Sequence, residues 1–219
     1  MYWQDEPQAS STTVPDDVVD VVYSIQCVRL PVDHAQVLSL AIQKQLPWFA
    51  TEERAALHTI HVAESGNGWV RPEDFIHVSR RTKLTLRVPK HRIDDAQHLS
   101  GKVLDLSGHP LTVGTAVIRP LSALTTIFAR YVTAAEGDEQ QFLRDVLAQL
   151  KTLSVQPKKM LCGMEKSILL TDGALRTRSL MLANLSVDES LTLQQRGLGS
   201  HRQLGCGVFI PHKDIQELK

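Results

Sequence analysis

Alternating strand and helix patterns, repeated twice, leave this chain few folds to choose from. Residues 19–27 alternate apolar with polar side chains, which predicts a half-buried strand. Asp33 is a good N-cap for a helix that runs to Leu46, and Pro47 ends that helix. The other predicted elements of this half are strands at 57–63, at 76–88 and within 102–118, and a short helix at 92–99. The order of the first half is therefore βαββαβ.

The second half of the chain repeats that order. Residues 138–153 place Phe142, Val146 and Leu150 on one apolar stripe, which predicts an amphipathic helix. Asp172-Gly173 is typical of a hairpin turn. The remaining elements are predicted at 124–132, 158–162, 166–170, 175–185, 188–195 and 208–210. We therefore expect an α+β fold of two tandem ferredoxin-like (βαββαβ) domains, 16–120 and 121–219, after a flexible N-terminal arm at 1–15.

Charge is unevenly distributed along a chain of zero net charge. The first 28 residues hold five acids and no Lys or Arg. The rest of the chain therefore holds all 24 basic residues but only 19 of the 24 acids, which gives it a net charge of +5. Basic residues are densest at 71–92 and 151–213. Clustered positive charge is typical of proteins that bind phosphate, although a solvated strand or helix face also has this pattern.

Composition argues against several other classes of protein. No apolar run approaches the roughly 18 residues of a membrane span, and the acidic start is unlike a signal peptide, so we expect a cytoplasmic protein without a membrane partner. Cys27, Cys162 and Cys206 lie far apart, which predicts free thiols. The nine histidines form no His-x-x-x-His or His-x-Glu pattern, so we expect neither a metal nor a cofactor.

The segment 196–211 is the part of the chain richest in glycine. It contains four glycines before an apolar strand: Gly197, Gly199, Gly205 and Gly207. Glycine allows a positive φ and close approach of the backbone to another molecule, and exposed N–H groups of such a loop can bind phosphate oxygens. The loop also carries Arg196, His201 and Arg202. The pattern predicts a C-terminal phosphate-binding loop, although glycine pairs before a strand are also typical of a tight turn.

This loop resembles the glycine-rich motif of the CRISPR repeat-processing endoribonucleases of the RAMP superfamily. The order of elements over nearly the whole chain, the helix opening at Pro31-Val32-Asp33-His34, the phrase Ser65-Gly66-Asn67-Gly68-Trp69 and the run 157–163 are similar to a subgroup from myxobacterial-type systems. The resemblance implies RAMP-type tandem domains that bind CRISPR repeat RNA, expected as a stem-loop, and cleave precursor transcripts into crRNA. Other subunits of a CRISPR effector complex are a further partner that the resemblance allows.

Cleavage of RNA requires little chemistry from the protein. The 2′-hydroxyl is an internal nucleophile, so a base, an acid and positive donors on the phosphate suffice without a metal, and the products are a 2′,3′-cyclic phosphate and a 5′-hydroxyl. His34 is the first candidate base, because the first turn of a helix keeps imidazole neutral and attracts phosphate, and in the resembled family the catalytic histidine lies on or just after this helix. His34 also shares a face with Leu38 and Ile42, which is typical of packing.

His61 is the second candidate base. It lies opposite Ile60 and Val62 on its predicted strand, whereas His58 shares their side and is expected in the core. The resembled family often pairs its histidine with tyrosine, lysine or serine. Residues that could act as such a partner are Tyr23, Lys44 and Ser65.

RNA contacts are predicted in three groups. They are the strand face with Arg81, Lys83 and Arg87, the second-domain residues Lys158, Lys159, Arg176 and Arg178, and the loop residues Arg196, Gly197, Gly199, His201, Arg202, Gly205 and Gly207. Arg176 and Arg178 lie two apart on one strand face, a spacing that can reach successive phosphates. Exposed Arg and Lys on strands also protect sheet edges from pairing. Aromatic residues are only 5% of the chain, so stacking on single-stranded bases is not expected to dominate, and Trp69 is the one loop candidate.

Three other functions fit parts of the sequence. A non-catalytic RAMP subunit that holds crRNA in an interference complex would share the loop and the fold. A cyclic phosphodiesterase would use His77-Val78-Ser79 and His98-Leu99-Ser100, but their separation of 21 residues is short for motifs from duplicated halves. A small-molecule-sensing module would not need the cationic strand. The endoribonuclease remains the favoured interpretation.

Overall fold

A five-stranded antiparallel sheet organises the N-terminal half of the protein; the computed structural model describes residues 17–61, 75–135 and 137–212. The elements of this half are β1 (Val18–Gln26), β2 (Arg29–Pro31), α1 (Ala35–Gln45), β3 (Ala56–His58), β4 (Phe75–His77), β5 (Lys83–Pro89), α2 (Ile93–Gln97), β6 (Val103–Asp105) and β7 (Pro110–Pro120). The strand order is β3-β5-β1-β7-β6, which is the ferredoxin-like order with β6 added beside β7. The short strands β2 and β4 pair separately.

The N-terminal core lies between this sheet and its helices. Val21 and Tyr23 of β1 are buried against Leu38 and Ile42 of α1, as the alternation of the strand predicts. Burial of each large apolar side chain contributes roughly 1.5–3 kcal/mol. The Tyr23 hydroxyl donates to the Ala96 carbonyl at 2.7 Å, and burial raises the pKa of Tyr23. Tyr23 is therefore a core residue, and its prediction as a catalytic partner is wrong.

The C-terminal half repeats the same topology. Its elements are β8 (Ile127–Thr133), α3 (Glu139–Thr152), β9 (Lys159–Leu170), β10 (Gly173–Ala183), α4 (Val187–Arg196) and β11 (Phe209–Pro211), and the strand order is β11-β8-β10-β9. Asp138 caps α3 by accepting the Gln141 N–H at 2.8 Å. The predicted stripe of Phe142, Val146 and Leu150 is buried under α3. The α+β class and the tandem ferredoxin-like domains are therefore confirmed.

Several element boundaries differ from the predicted ones. The N-cap residue of α1 is His34, one residue after Asp33. The predicted strand 76–88 is divided into β4 and β5, because the Thr82 N–H donates to the Ser79 carbonyl in an intervening turn. In the second half, the predicted strands 158–162 and 166–170 form one strand, β9, which pairs with β10 on both sides of a register shift between Cys162 and Glu165.

Arg87 closes the part of the outer face of the N-terminal sheet at β5 and β1 against the C-terminal domain. Its side chain is 1% exposed. It donates to both carboxylate oxygens of Asp20 at 2.8 and 3.0 Å, and to the carbonyls of Gln194 at 2.9 Å and Phe209 at 2.8 Å. The prediction that Arg87 contacts RNA is therefore wrong, because all of its bonds are made inside the protein.

Residues 121–126 connect the two sheets, next to the boundary predicted at 120. The Gln194 side chain fastens this connection, since it accepts the Ser122 N–H at 3.1 Å and donates to the Ser122 carbonyl at 2.7 Å. No helix in the ranges that the structure describes is long and apolar enough to cross a membrane. The predicted arm at 1–15 lies outside those ranges.

Candidate active site

His34 lies at the entrance of α1 with both ring nitrogens bonded. The side chain is 5% exposed, its Nδ1 is 3.0 Å from the Pro31 carbonyl oxygen, and its Nε2 is 3.2 Å from the Ile60 backbone nitrogen. Because a backbone N–H can only donate, the bonding assigns the lone pair to Nε2 and the proton to Nδ1. Burial lowers the pKa of His34, which favours this neutral form.

This geometry favours His61 over His34 as the candidate base. Both nitrogens of His34 are used within the protein, so neither is available to take a proton from a substrate. The bond from Ile60 instead holds the backbone at residue 60 against the start of α1. The next residue along the chain is His61, the second candidate.

His61 lies where the two domains meet. Its predicted strand ends early, because β3 stops at His58. The His61 Nε2 is 2.7 Å from the Thr59 hydroxyl oxygen, and its ring centroid is 6.2 Å from that of Tyr131 on β8. The side chain is exposed to solvent in part. His61 therefore combines access from outside with contacts to both domains.

The electrostatic surroundings of His61 keep it neutral. Burial, followed by the nearby charges of Arg130, His34 and Lys166, lowers the pKa of His61. Arg130 is on β8 and Lys166 is on β9, so the second domain supplies both permanent cations. A neutral imidazole beside two cations can accept a proton and can attract a phosphate at the same place.

The β9–β10 hairpin brings these cations to α1. At its turn, the Thr171 N–H and hydroxyl both donate to the Gln36 side-chain oxygen, at 2.8 and 3.0 Å. Ile168 packs in one cluster with Ala35 and Cys206, and Tyr131 borders that cluster. The hairpin thus lies across the entrance of the helix that carries His34.

The glycine-rich segment packs beside His61, although most of it is buried. The Gly207 N–H donates to the Tyr131 carbonyl at 2.7 Å, and a side chain at Gly207 would collide with the Leu198 carbonyl. A Cβ at Gly205 would lie 2.6 Å from the Thr59 side chain. Gly197, Gly205 and Gly207 are buried, so their absence of side chains serves this close packing. The structure contradicts their prediction as direct RNA contacts.

A short part of the segment does face solvent. Gly199, Ser200 and His201 are exposed, and Gly199 and His201 have positive φ values of 74° and 65°. Among the described residues, their N–H groups have no backbone acceptor. Successive N–H groups in such a bend can bind an anion. Arg196 is exposed close by.

Arg202 differs from these neighbours because it is 7% exposed. Its Nη2 donates to the Gln195 carbonyl at 3.0 Å and to the Arg54 carbonyl at 3.4 Å. Burial, with a further effect of Arg87, lowers the pKa of Arg202 to about 10. Its prediction as an exposed RNA contact is therefore wrong.

The predicted cations of the second domain divide into paired and exposed groups. Arg176 makes two bonds to Glu165, at 3.0 and 2.7 Å, and Arg178 donates to the Gly163 carbonyl at 3.2 Å. Both arginines therefore contact the same short stretch of β9. Lys158 and Lys159 are exposed, as are Arg81 and Lys83 of the first domain.

The two other predicted partners of the base are Lys44, which lies far from His34, and Ser65, which is not among the described residues. Lys44 is exposed in the last turn of α1, about 15 Å along the helix axis from His34. Ser65 and Trp69 lie outside the described residues. In the ranges that the structure describes, no group of three or more His, Cys, Asp or Glu side chains could hold a metal ion.

Sequence reasoning missed the cations that surround His61. Lys166 and Arg130 carry no local motif, and nothing in their spacing indicates that they approach a histidine of the other domain. Only the docking of the β9–β10 hairpin on α1 brings them there.

Comparison with known proteins agrees with the topology and with the predicted resemblance. A family model described as Cas6 Crispr matches residues 19–214. The chain belongs to the Cas6 family. A Cas6 relative, the CRISPR-associated endonuclease Cas6 of Myxococcus xanthus (strain DK1622), is 28% identical over 194 residues, which are 88% of this chain and 81% of the relative.

Solved structures share the Cas6 fold at low sequence identity. One described as CRISPR associated protein Cas6 superposes with a TM-score of 0.63 at 12% identity, over 90% of this chain and 100% of the other. Another, described as a RAMP protein binding different RNA substrates, has a TM-score of 0.64 at 12% identity, over 89% of this chain and 100% of the other. These likenesses confirm the RAMP-type fold.

Proposed function

We propose that this Cas6-family chain is an endoribonuclease that binds CRISPR repeat RNA and cuts the precursor transcript into crRNA. Family membership and the relative from Myxococcus xanthus, which is named an endonuclease, support the reaction class. The observation that carries the proposal is the placement of a neutral, partly exposed His61 beside Arg130 and Lys166 of the other domain. This arrangement fits a phosphodiester held between the domains.

The proposed reaction is an internal transfer within the RNA. His61 takes the proton of the 2′-hydroxyl, the 2′-oxygen forms a bond to phosphorus, and the bond from phosphorus to the 5′-oxygen breaks as that oxygen gains a proton. The products are a 2′,3′-cyclic phosphate and a 5′-hydroxyl, and no metal is needed because the RNA supplies the nucleophile. A placed imidazole contributes about 10²–10⁴-fold to such a step.

Arg130 and Lys166 have two effects in this mechanism. Their charges stabilise the extra negative charge that develops on the phosphate oxygens in the transition state. A bound phosphate also offsets those charges, so it raises the pKa of His61 again. His61 therefore becomes a better proton acceptor when substrate is present.

The remaining residues position the RNA and the base. His34 is a positioning residue, because its bond to Ile60 holds the segment that leads into His61. We assign phosphate contacts to the exposed bend at Gly199 and His201 and to the exposed cations. Those cations are Arg81, Lys83, Lys158, Lys159 and Arg196. Binding by backbone shape and charge suits a stem-loop, whose deep major groove is closed to side chains.

The test is cleavage of repeat RNA in the presence of EDTA, with the ends of the products mapped. We expect cutting by the wild type, and a loss of about 10²–10⁴-fold in His61→Ala with RNA binding retained. His98→Ala is the matched control, because His98 is an exposed histidine of the same domain and should leave the rate unchanged.

Three results would overturn the proposal. Full-rate cutting by His61→Ala would exclude His61 as the base. Loss of cutting in EDTA, or 5′-phosphate ends, would exclude the 2′-hydroxyl mechanism. Wild-type protein that binds repeat RNA without cutting it would instead identify a non-catalytic subunit that holds crRNA.

A further inference from the structure

A row of apolar side chains crosses the outer face of the C-terminal sheet. Leu161 on β9 lies opposite Met181 on β10, Met181 opposite Phe128 on β8, and Phe128 opposite Ile210 on β11. We call these four residues the Phe128 row. Leu161 is 65% exposed and Ile210 is 36% exposed, while Phe128 and Met181 are half-buried.

The row lies on the side of the sheet away from α3 and α4. Neighbouring strand residues Ala129, Leu180 and Leu182 point to the opposite face, where they are buried in the core with residues of α3 and α4. With a strand spacing of about 4.8 Å, the row extends roughly 14 Å across the four strands. Its length thus spans the whole sheet, yet only its two outer members are strongly exposed.

Polar and cationic groups surround the row. The His212 ring centroid lies 6.1 Å from the Phe128 ring centroid, and the Arg130 guanidinium carbon lies 5.9 Å from the same ring. The charged strand residues on this face are Arg130, Lys159 and Lys166, since Lys159 lies opposite Ala183 and Lys166 opposite Thr177, which alternate with Leu180 and Leu182 on β10. All three are cations, so the described strand residues of this face carry a net positive charge.

The chemistry of this face fits single-stranded RNA. Four-stranded sheets with aromatic residues on an open face can stack two or three bases, and aliphatic neighbours and flanking cations accommodate the rest of the strand. Continuity with the active site supports the same ligand, because Arg130 lies beside both Phe128 and His61. A strand that leaves His61 would therefore meet Phe128 next.

A protein partner fits this face less well. A stable protein–protein interface buries about 800 Å² on each partner, and its centre is depleted of charged residues. A single row of four side chains, two of them half-buried, exposes on the order of a few hundred Å². The cations lie directly beside it.

Resting on the function proposed above, we propose that the Phe128 row binds a single-stranded segment of the substrate RNA that continues from the cleaved bond. Bases stack on Phe128 and His212, and Arg130 and Lys159 lie near the phosphates.

The test compares two RNAs on a His61→Ala background, so that no RNA is cut. One is the repeat stem-loop alone, and the other is the same stem-loop with single-stranded flanks. We expect Phe128→Ala to weaken binding of the flanked RNA by roughly 5- to 100-fold and to leave binding of the bare stem-loop unchanged. Leu147→Ala, an exposed apolar residue on α3, is the control and should change neither affinity.

A second variant protects the test against misfolding. Phe128→Leu keeps an apolar side chain of similar volume but has no ring, so it should lose most of the same affinity, whereas Phe128→Tyr should retain it. Equal binding of the flanked RNA by Phe128→Ala and Leu147→Ala would overturn the proposal. So would unchanged RNA binding combined with a change in sedimentation, since that result would identify the row as a protein interface.

The proposed function and this inference can fail separately. If the wild type cuts repeat RNA but Phe128→Leu binds the flanked RNA normally, only the inference is wrong. If the wild type never cuts but the Phe128 variants lose affinity for flanked RNA, the binding surface stands and the endoribonuclease proposal is wrong.

Discussion

The two sheets have the same topology, but their outer faces have different surroundings. In the N-terminal sheet the outer face is closed at β5 and β1, because Arg87 bridges Asp20 to backbone carbonyls of the C-terminal domain. In the C-terminal sheet the outer face is covered by α1 near Ile168, but it carries the exposed Leu161 and Ile210 at the Phe128 row. Both outer faces therefore help to join the halves, but only the C-terminal one leaves the Phe128 row open.

The difference shows why charge along one strand is a poor guide to an RNA-binding face. Arg87 alternates with apolar residues on β5 just as Lys83 does, yet Asp20 lies directly opposite Arg87 on β1. Arg178 likewise lies opposite Glu165 on β9. The residue opposite a cation on the neighbouring strand decides whether the cation pairs within the protein or can bind phosphate.

Among the substitutions on the two faces, removal of the Arg87 side chain should have the largest effect on the free energy of unfolding. Arg87→Ala leaves the Asp20 carboxylate and two carbonyls without their donor, and breaking a buried pair in this way costs about 3–5 kcal/mol. Urea denaturation should show that loss in the free energy of unfolding. RNA affinity should then fall only as far as the folded fraction falls.

Lys83→Ala is the matched control on the same strand. Lys83 is exposed, so its removal should change the free energy of unfolding by less than about 0.5 kcal/mol. It should weaken RNA binding modestly and reduce the salt dependence of that binding. If Arg87→Ala were as stable as Lys83→Ala and lost RNA affinity in the same way, the closed-face interpretation would be wrong.

Gly207 tests whether the glycine-rich segment joins the domains or offers its backbone to RNA. Gly207→Ala places a Cβ against the Leu198 carbonyl at a φ of 65°, so it should cost about 3 kcal/mol, near the upper end for a strained backbone position. Gly108→Ala has a φ of 83° and no atom within 4 Å of its Cβ, so it should cost only about 1 kcal/mol. Thermal melts of the two variants measure the contrast, and equal losses would refute it.

The architecture is predictable from the sequence because its signals are local. The alternation of β1, the Asp138 cap of α3 and the Asp172-Gly173 turn each lie within one element and do not depend on the other domain. Two such runs in the same order then restrict the topology to tandem ferredoxin-like domains. Errors fall at element ends, as between β4 and β5, where a single turn decides the boundary.

The candidate site is less predictable because it depends on contacts between distant residues. The observation that favours packing over catalysis for His34 is its bond to Ile60, 26 positions away. The burial of Arg202 and the approach of Lys166 to His61 depend on how the domains dock. A pattern of residue types predicts which reactive side chains lie on an element, but it does not show which residues they contact in the fold.

Lowering the pH should destabilise the contact that Asp20 and Arg87 make between the two domains. Burial lowers the pKa of His58, whose Nε2 is 3.5 Å from Asp20, so the native state keeps it neutral while the unfolded chain takes up a proton below about pH 6.5. Stability is therefore lost as the pH falls below that value, by at most about 1.4 kcal/mol per pH unit for each such histidine.

Asp20 adds to this loss only at lower pH. Burial would raise its pKa, but Arg87 and His58 outweigh burial and hold the pKa of Asp20 below its usual range, so its stabilisation is lost as the pH falls below about 4. Urea denaturation of the wild type and His58→Gln between pH 7.5 and 4.5 should show a shallower decline in the variant. Parallel curves would mean that His58 does not titrate differently on folding.

The smallest predicted effect concerns the cations beside the open face. Arg130 and Lys166 lower the pKa of His61, so removing either one should raise that pKa towards its usual value. If His61 is the base, as proposed, it must be unprotonated to act, so kcat/KM should fall as the pH drops through its pKa in the free enzyme. The acidic limb of the pH profile should therefore move to higher pH in Lys166→Ala and in Arg130→Ala, by roughly one unit or less.

This shift separates a local effect on His61 from general RNA binding. Lys159→Ala removes an exposed cation of the same strand, so it should raise KM without moving the limb. An unchanged limb in Lys166→Ala and Arg130→Ala, with KM raised as in Lys159→Ala, would mean that both cations bind RNA without acting on the base. A shift in Lys166→Ala alone would retain His61 as the base and assign Arg130 to the Phe128 row, because each cation would then act on only one of the two neighbouring surfaces.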